Sequence, residues 1–215
     1  MGVRKLSYAV WTGREMRGPL ANFSVVTPSD HLRARVEHEI RTTYLERFRA
    51  RLARLPRTLI ASVSASGIIE CAAGVRFPEH DFFSECYLDL PVEIALQHRF
   101  GLPVQRRRII EVCNLAGRKP GRSQSFIASF IEFAESDEFD WVIFTATKSL
   151  RALLERSGLR MTQLGRAERF RVANPSDWGS YYEHDPRVMA VHRDASPGYR
   201  RHRPGRAGVA ACANA

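Results

Sequence analysis

The sequence predicts a mixed α/β domain built around one central sheet with helices on its faces. The first observation is a helical stretch after residue 30, where Leu32, Val36 and Ile40 begin an apolar series at spacings of four between Arg and Glu residues. The second is a pair of apolar runs, 58–64 and 68–77, separated by a Ser-Gly turn that indicates a hairpin. The third is the alternation of strand-like and helix-like runs after residue 106, which is typical of α/β domains.

The first half of the folded region is predicted to start after a loose arm, residues 1–20. Ser29 or Asp30 caps the first helix, and Pro56 lies beyond its end at about Arg54. In order, the predicted elements are a strand at 22–26, a helix from about 27 to 54, the hairpin strands, an acidic and aromatic loop at 78–90 and a short helix at 91–100.

The second half contains the longest apolar runs. Gly158 ends the last predicted helix, and turns at Asn174–Asp177 and Asp185–Pro186 interrupt a strand-like region. In order, the predicted elements are a strand at 106–115, a basic loop at 116–123, a helix at 126–134, a strand at 141–147, a helix at 149–156 and the strand-like region at 159–192. The domain is expected to span residues 21–192, and residues 193–215 are expected to form a disordered basic tail.

The charge balance implies an acidic partner. The chain has 215 residues and a formal net charge of +10, and its basic residues are almost all arginine, which binds phosphate and carboxylate in bidentate fashion. Nucleic acid, anionic lipid and an acidic carrier protein or cofactor all match this charge. Solubility alone is the other explanation. Nucleic acid is not expected, because no helix-turn-helix, zinc-finger or aromatic-basic sheet motif is present.

The compartment is expected to be the cytoplasm. No run of about 18 apolar residues predicts a membrane span, and the residues after Met1 do not read as a secretory signal. The four cysteines show no C-x-x-C pair, so they predict reduced thiols, with neither a disulfide framework nor a metal site.

Two features indicate chemistry from the residues alone. The basic loop at 116–123 lies between a strand and a helix, and it is either a phosphate site or an ordinary solvated loop. If it binds phosphate, it does so without the lysine and Ser/Thr spacing of a P-loop. Glu111 lies within an apolar strand, where burial would raise its pKa and make it suitable as a general base. The alternatives are that Glu111 pairs with one of the preceding arginines or faces water.

Four linked motifs carry a resemblance to known proteins. They are Tyr87-Leu88-Asp89-x-Pro91, the run from Arg108 to Ala116, the run from Trp141 to Thr147, and Trp178-Gly179-x-Tyr181-Tyr182-x-x-x-Pro186-x-Val188. In order and spacing they resemble the thermostable hemolysin family over roughly residues 20–192. The layout also resembles the GNAT acyltransferase fold, most closely its acyl-homoserine-lactone synthase branch.

The resemblance implies a GNAT-like domain whose central sheet is mixed but mostly antiparallel. In that fold the fourth strand, here 109–115, diverges from the fifth, here 141–147, and the gap holds the pantetheine arm of an acyl thioester. Glu111 then falls at the reacting centre. The implied donor-binding residues are Cys113, Asn114, Leu115, Arg118, Arg122, Ser123, Thr145 and Thr147, and the implied substrate-binding residues are Asp89, Trp178 and Tyr182.

The implied activity is N-acyl transfer from an acyl-carrier-protein or acyl-CoA thioester to a small amine or amino acid. The phosphopantetheine thioester is then a co-substrate, and no tightly bound cofactor is expected. Pro120 removes one amide donor from the basic loop, and carrier proteins are acidic, so a carrier-protein donor fits as well as CoA. The alternative is a membrane-active, haemolysin-like lipid-binding protein, since residues 27–54 are amphipathic and basic.

Overall fold

One seven-stranded sheet organises the computed structural model, which describes residues 23–117, 120–136 and 139–195. The strand order is β1-β2-β3-β4-β5-β7-β6, and every neighbouring pair is antiparallel except β4 and β5. The mixed, mostly antiparallel sheet is therefore confirmed. The strands are β1 (Ser24–Val26), β2 (Thr58–Val63), β3 (Ile69–Arg76), β4 (Ile109–Gly117), β5 (Trp141–Ala146), β6 (Thr162–Arg166) and β7 (Arg187–His192).

Four α-helices in the described part of the chain cover the two faces of this sheet. Apolar residues of α1 and α2 pack on one face, against Leu59 and Ile109 among others, while those of α3 and α4 pack on the opposite face. The helices are α1 (Arg33–Phe48), α2 (Val92–Phe100), α3 (Pro120–Ser136) and α4 (Lys148–Arg156). None of the helices in these residues is long and apolar enough to cross a membrane.

The first helix is shorter than the sequence predicts. Asp30 accepts a hydrogen bond from the backbone N–H of Leu32 at 2.7 Å, as a capping residue should, but the helix itself begins at Arg33. It ends at Phe48 and not near residue 54, because Arg49 adopts a left-handed conformation with φ 57° and terminates the α-helix. Its apolar stripe is buried in the core, so that stripe is not available to a membrane surface.

The basic loop predicted at 116–123 is also shorter than expected. Strand β4 continues through Ala116 and Gly117, which pair with Ala72 and Cys71 of β3. Helix α3 begins at Pro120, because proline at the first helical position sacrifices no hydrogen bond. Arg118 and Lys119, which lie between them, are outside the described residues.

The last third contains two strands, β6 and β7, and the turns predicted at 174–177 and 185–186 lie between them. Between β6 and β7, residues 167–186 form three short 3-10 turns, one of which starts at Pro175. Proline and the neighbouring polar residues do not support a sheet ladder here. After β7, the backbone N–H of Arg193 donates to the carbonyl of Asp140, and the Arg193 guanidinium donates to the Asp140 carboxylate. These two hydrogen bonds hold the chain against the start of β5.

The parallel pair β4–β5 is the part of the sheet that positions the site. Its paired residues run from Ile109 and Trp141 to Val112 and Phe144, and no pairing follows. At the next residues β4 carries a bulge, since Ala72 pairs with Ala116 but Gly74 pairs with Cys113. Asn114 lies in this bulge with φ 52°, a conformation that asparagine tolerates better than most residues. The two strands therefore diverge after Val112.

Candidate active site

A cavity of about 490 Å³ occupies the place where β4 and β5 diverge. Side chains from both strands form its floor, and α1, α3, α4 and the turn before β7 complete its walls. Most of the lining is apolar or neutral. The lining residues are Tyr44, Arg47, Phe48, Val112, Cys113, Asn114, Leu115, Ser123, Ile127, Val142, Phe144, Thr145, Thr147, Ser149, Leu150, Leu153, Arg156, Tyr181 and His184.

Two arginines and a histidine are the basic residues that line this cavity within the described part of the chain. Arg47 comes from α1, Arg156 from α4 and His184 from the turn before β7. Among the described lining residues there is no aspartate or glutamate. Arg47 also donates a hydrogen bond to the carbonyl of Gly117 at 2.6 Å, which fixes it beside the end of β4. The cavity is therefore suited to a ligand with an apolar part and an anionic part.

Glu111 lies behind one wall of the cavity, with a fully buried side chain (0% exposed). Its Oε2 accepts the backbone N–H of Phe83 at 2.6 Å, and its Oε1 accepts both the backbone N–H and the hydroxyl of Ser84 at 2.8 and 2.6 Å. These donors belong to a 3-10 turn, Phe83–Tyr87, that packs on β4 and β5. The turn thus surrounds a buried carboxylate with hydrogen-bond donors.

The environment of Glu111 shifts its proton affinity. Burial raises the pKa of the carboxyl above its ordinary value, while the hydrogen bonds from Ser84 and Phe83 and the charge of Arg76 act in the opposite direction. Arg76 lies across the β3–β4 pair, with its Nε 3.9 Å from Oε2. The sequence-based alternatives for Glu111 are wrong: it does not face water, and the preceding arginines bind Glu85, Gln105 and Asp140.

A chain of hydroxyl groups connects Glu111 to the cavity. The Ser84 hydroxyl, which donates to Glu111, lies 2.9 Å from the hydroxyl oxygen of Thr145. Thr145 is on β5, just past the last residue paired with β4, and its side chain lines the cavity. Two hydrogen-bonded hydroxyls therefore connect the Glu111 carboxylate to the cavity, although the carboxylate does not line the cavity itself.

The turn that carries Ser84 is held from its other side by ion pairs. Arg106 donates to Glu85 at 2.6 and 2.9 Å and to Glu93 of α2 at 2.9 Å, and its guanidinium lies 4.5 Å from the centre of the Phe82 ring. Glu85 also accepts the backbone N–H of Val92 at the start of α2. This network ties the turn to α2 and to the residues before β4.

Most of the predicted donor-binding residues lie together around the cavity. Cys113, Asn114 and Leu115 form part of its floor, and Ser123, Thr145 and Thr147 form part of its walls. Burial raises the pKa of the Cys113 thiol, which keeps it protonated at neutral pH. Arg122 belongs to the first turn of α3, but the structure describes only its backbone. The predicted residue Arg118 falls outside the described residues.

The three predicted substrate-binding residues lie away from the cavity lining. Trp178 stacks on Phe83 with ring centres 5.5 Å apart, and the Tyr182 hydroxyl is 2.8 Å from the Tyr87 hydroxyl. Asp89 is exposed at the surface, where it forms an ion pair with Arg171. Their neighbours Tyr181 and His184 occupy the cavity wall instead. A run of consecutive aromatic residues without regular periodicity does not indicate which of them faces inward.

Sequence reasoning missed the turn residue Ser84 and the cavity residues on α1 and α4. Arg47 and Arg156 look like ordinary surface arginines on amphipathic helices, and nothing in their spacing singles them out. Ser84 lies in a stretch predicted as a loop, 27 residues before Glu111. Only the packing of that loop on the sheet reveals the contact.

Comparison with known sequences agrees with this geometry. The description of the thermostable hemolysin family matches residues 26–196, which is most of the chain. The chain belongs to the thermostable hemolysin family. The match spans strands β2 to β7, the last residue of β1, the Phe83–Tyr87 turn and the cavity-lining residues. No curated protein matches the chain in sequence.

Solved structures of similar fold include acyl-homoserine lactone synthases and an N-acyl amino acid synthase. The AHL synthase LasI aligns with a TM-score of 0.55 at 7% identity, covering 83% of this chain and 96% of LasI. FeeM, an N-acyl amino acid synthase from uncultured soil microbes, aligns with a TM-score of 0.52 at 12% identity, covering 84% and 97%. The CoA-dependent acyl-homoserine lactone synthase MesI aligns with a TM-score of 0.50 at 16% identity, covering 83% and 93%. The GNAT-like fold is thereby confirmed.

Proposed function

We propose that the chain is an N-acyltransferase that moves an acyl group from a phosphopantetheine thioester to an amine or amino acid. The observation that carries this proposal is the cavity between the diverging strands, which has an apolar floor and basic lining residues. Next to it, the Ser84 hydroxyl connects Thr145 of the cavity lining to the buried Glu111 carboxylate. An acyl-phosphopantetheine thioester has matching parts: an apolar acyl chain, a reactive carbonyl and an anionic phosphate.

The donor is assigned to the cavity. Val112, Ile127 and Phe144 provide apolar surface for the acyl chain and the pantetheine arm of the donor. Arg47, Arg156 and His184 hold the phosphate, with Ser123 and, beyond the described side chains, Arg118 and Arg122. Thr147 lines the same cavity and is assigned to the pantetheine arm. With a net charge of +10, the protein also attracts an acidic acyl-carrier protein, so we favour that donor over free acyl-CoA. Such a donor places the reaction in the cytoplasm.

The chemical step is assigned to the region where the strands separate. The amine attacks the thioester carbonyl, and Glu111 is the base that takes up the amine proton, since its raised pKa matches that task. Backbone amides in Cys113–Leu115 stabilise the oxyanion of the tetrahedral intermediate. Trp178 and Tyr182 pack beside the turn that holds Glu111, and we assign them, with Asp89, to the acceptor side.

The test is a thiol-release and mass-spectrometry assay with acyl-CoA and acyl-carrier-protein donors and a pool of amino acids and amines. The expected result is free thiol together with an N-acylated product. The variant Glu111→Gln is expected to lose about 10²–10⁴-fold in turnover, the usual contribution of a general base, while still binding the thioester.

Ser129→Ala is the control variant, because Ser129 is buried in α3 and does not line the cavity. Full turnover by Glu111→Gln would remove Glu111 from the mechanism. Absence of product and of thioester binding in the wild-type protein, together with lysis of anionic vesicles, would overturn the proposal in favour of a membrane-active protein.

A further inference from the structure

The buried position of Glu111 raises the question of how the proton of the substrate amine reaches it. We propose that Ser84 and Thr145 form a proton relay between the cavity and Glu111. This inference rests on the proposed acyl transfer and adds to it two residues that carry the proton. Three features of the site support the relay: the carboxylate is inaccessible, the hydroxyls are within hydrogen-bond distance of each other, and the last hydroxyl lies on the cavity wall.

The carboxylate of Glu111 cannot contact the amine directly in this arrangement. It is 0% exposed and is absent from the cavity lining. Both of its oxygens already accept hydrogen bonds, Oε2 from Phe83 and Oε1 from Ser84. A substrate amine in the cavity meets the hydroxyl of Thr145 first.

The hydrogen-bond directions in the chain follow from the chemistry of its end. An ionised carboxylate only accepts, so the Ser84 hydroxyl donates its hydrogen to Glu111 at 2.6 Å. The Ser84 oxygen then accepts from the Thr145 hydroxyl at 2.9 Å. The Thr145 oxygen retains free lone pairs, and these accept a hydrogen from an amine in the cavity.

The acyl-transfer step balances through this chain. As the amine nitrogen forms its bond to the thioester carbon, its proton passes to Thr145, the Thr145 hydrogen passes to Ser84, and the Ser84 hydrogen passes to Glu111. The C–S bond then breaks. The thiolate leaving group takes one proton back by the reverse sequence, in which Glu111 donates to Ser84, Ser84 to Thr145 and Thr145 to the thiolate sulfur. The products are an amide and a thiol, and Glu111 is ionised again.

A proton-relay role for Ser84 can be distinguished experimentally from a role in holding the Glu111 carboxylate in place. Without its hydroxyl, the carboxylate of Glu111 keeps the backbone N–H groups of Phe83 and Ser84, one on each oxygen. Thr145 is held by the pairing of β5 with β7, where it lies opposite Val188, and needs no side-chain hydrogen bond to stay in place. Removing either hydroxyl therefore interrupts the proton path while leaving the carboxylate where it is.

The experiment compares Ser84→Ala and Thr145→Val with matched controls. Ser129→Ala and Thr58→Val remove buried hydroxyls outside the cavity and the chain of hydrogen bonds. The first pair is expected to lose about 10²–10⁴-fold in kcat with little change in KM for the thioester, and the controls are expected to keep wild-type kcat. Thr145→Ser, which keeps the hydroxyl, is expected to restore most of the rate. In mixtures of H₂O and D₂O, the wild-type rate is expected to fall non-linearly with deuterium content, because several protons move together.

The outcomes separate the relay from the function it rests on. If the wild-type protein makes no acylated product, the proposed function fails. If it does, and both Ser84→Ala and Thr145→Val stay within threefold of wild type, the relay is overturned. If Ser84→Ala does not fold by circular dichroism, Ser84→Cys replaces it, since a thiol is nearly isosteric but a weak donor. A wild-type rate for a folded Ser84→Cys variant likewise overturns the relay.

Discussion

Replacing Arg76 by glutamine tests how the charge of Arg76 sets the pKa of the buried Glu111 carboxyl. The guanidinium Nε lies 3.9 Å from Glu111 Oε2, too far for a hydrogen bond, so the pair interacts mainly through charge. Coulomb's law gives about 1 kcal/mol at this distance in water and about 4 kcal/mol at an effective dielectric constant near 20. The Arg76 side chain is 31% exposed, so the lower figure is the better guide.

The sign of the effect follows from the charge removed. Arg76 favours the ionised form of Glu111, so its loss raises the pKa of the carboxyl further above the ordinary value. One pKa unit corresponds to about 1.36 kcal/mol, so the expected rise is about one unit. If ionised Glu111 is the base, the acid limb of the kcat/KM profile for acyl transfer moves to higher pH by the same amount.

The pKa is measurable without any knowledge of the substrate. Infrared difference spectra follow the carbonyl band of the protonated carboxyl as pH changes, with Glu111→Gln as the baseline. The control is Arg35→Gln, which removes an exposed arginine whose hydrogen-bond acceptor within the described residues is the carbonyl of Gly67. A midpoint for Arg76→Gln that equals or falls below that of the wild-type protein would refute the electrostatic reasoning.

Three further substitutions test the surroundings of the site. Gly179→Ala places a Cβ 2.0 Å from the carbonyl oxygen of Phe48 at φ 50°, and should lower the free energy of unfolding by about 1–3 kcal/mol or more in a denaturant titration. Gly117→Ala places a Cβ 2.2 Å from the Ser123 hydroxyl, so the start of α3 must shift and calorimetry should show weaker thioester binding. Arg156→Gln should raise KM by up to about tenfold for acyl-CoA but leave KM unchanged for acyl-pantetheine, which lacks the phosphate.

The sheet was predictable because its strands follow simple local rules. The hairpin 58–77 has a turn signal between two apolar runs, and the runs that became β4 and β5 are too apolar to be anything but buried. Glu111 was predictable for the same reason, since a single carboxylate in such a run is conspicuous. The end of α1 was not, because its apolar spacing continues to Leu52, which is buried although it lies outside the helix.

The contacts that complete the site depend on tertiary structure. Ser84 meets Glu111 only because Arg106 and Glu85 fold the preceding loop onto the sheet. The two arginines that line the cavity, Arg47 and Arg156, come from α1 and α4, more than 100 residues apart in sequence, and no local pattern links them. Exposed aromatic and basic side chains follow no burial period, so their direction is set by the neighbours they meet.

The bulge at Asn114 controls which face of the sheet each residue of β4 occupies. Ile109, Glu111 and Cys113 lie on the face covered by α1, α2 and the Phe83–Tyr87 turn, as alternation requires, but Ala116 also lies there with α1. The extra residue thus shifts the phase of the strand by one position. Deleting Asn114 would remove the extra residue and restore regular alternation, so Leu115 and Ala116 would keep their present faces but the bulge after Val112 would be lost. One deletion at this point would therefore reshape the backbone under the cavity, because Cys113, Asn114 and Leu115 all line it, whereas substitutions there would change side chains on the same backbone.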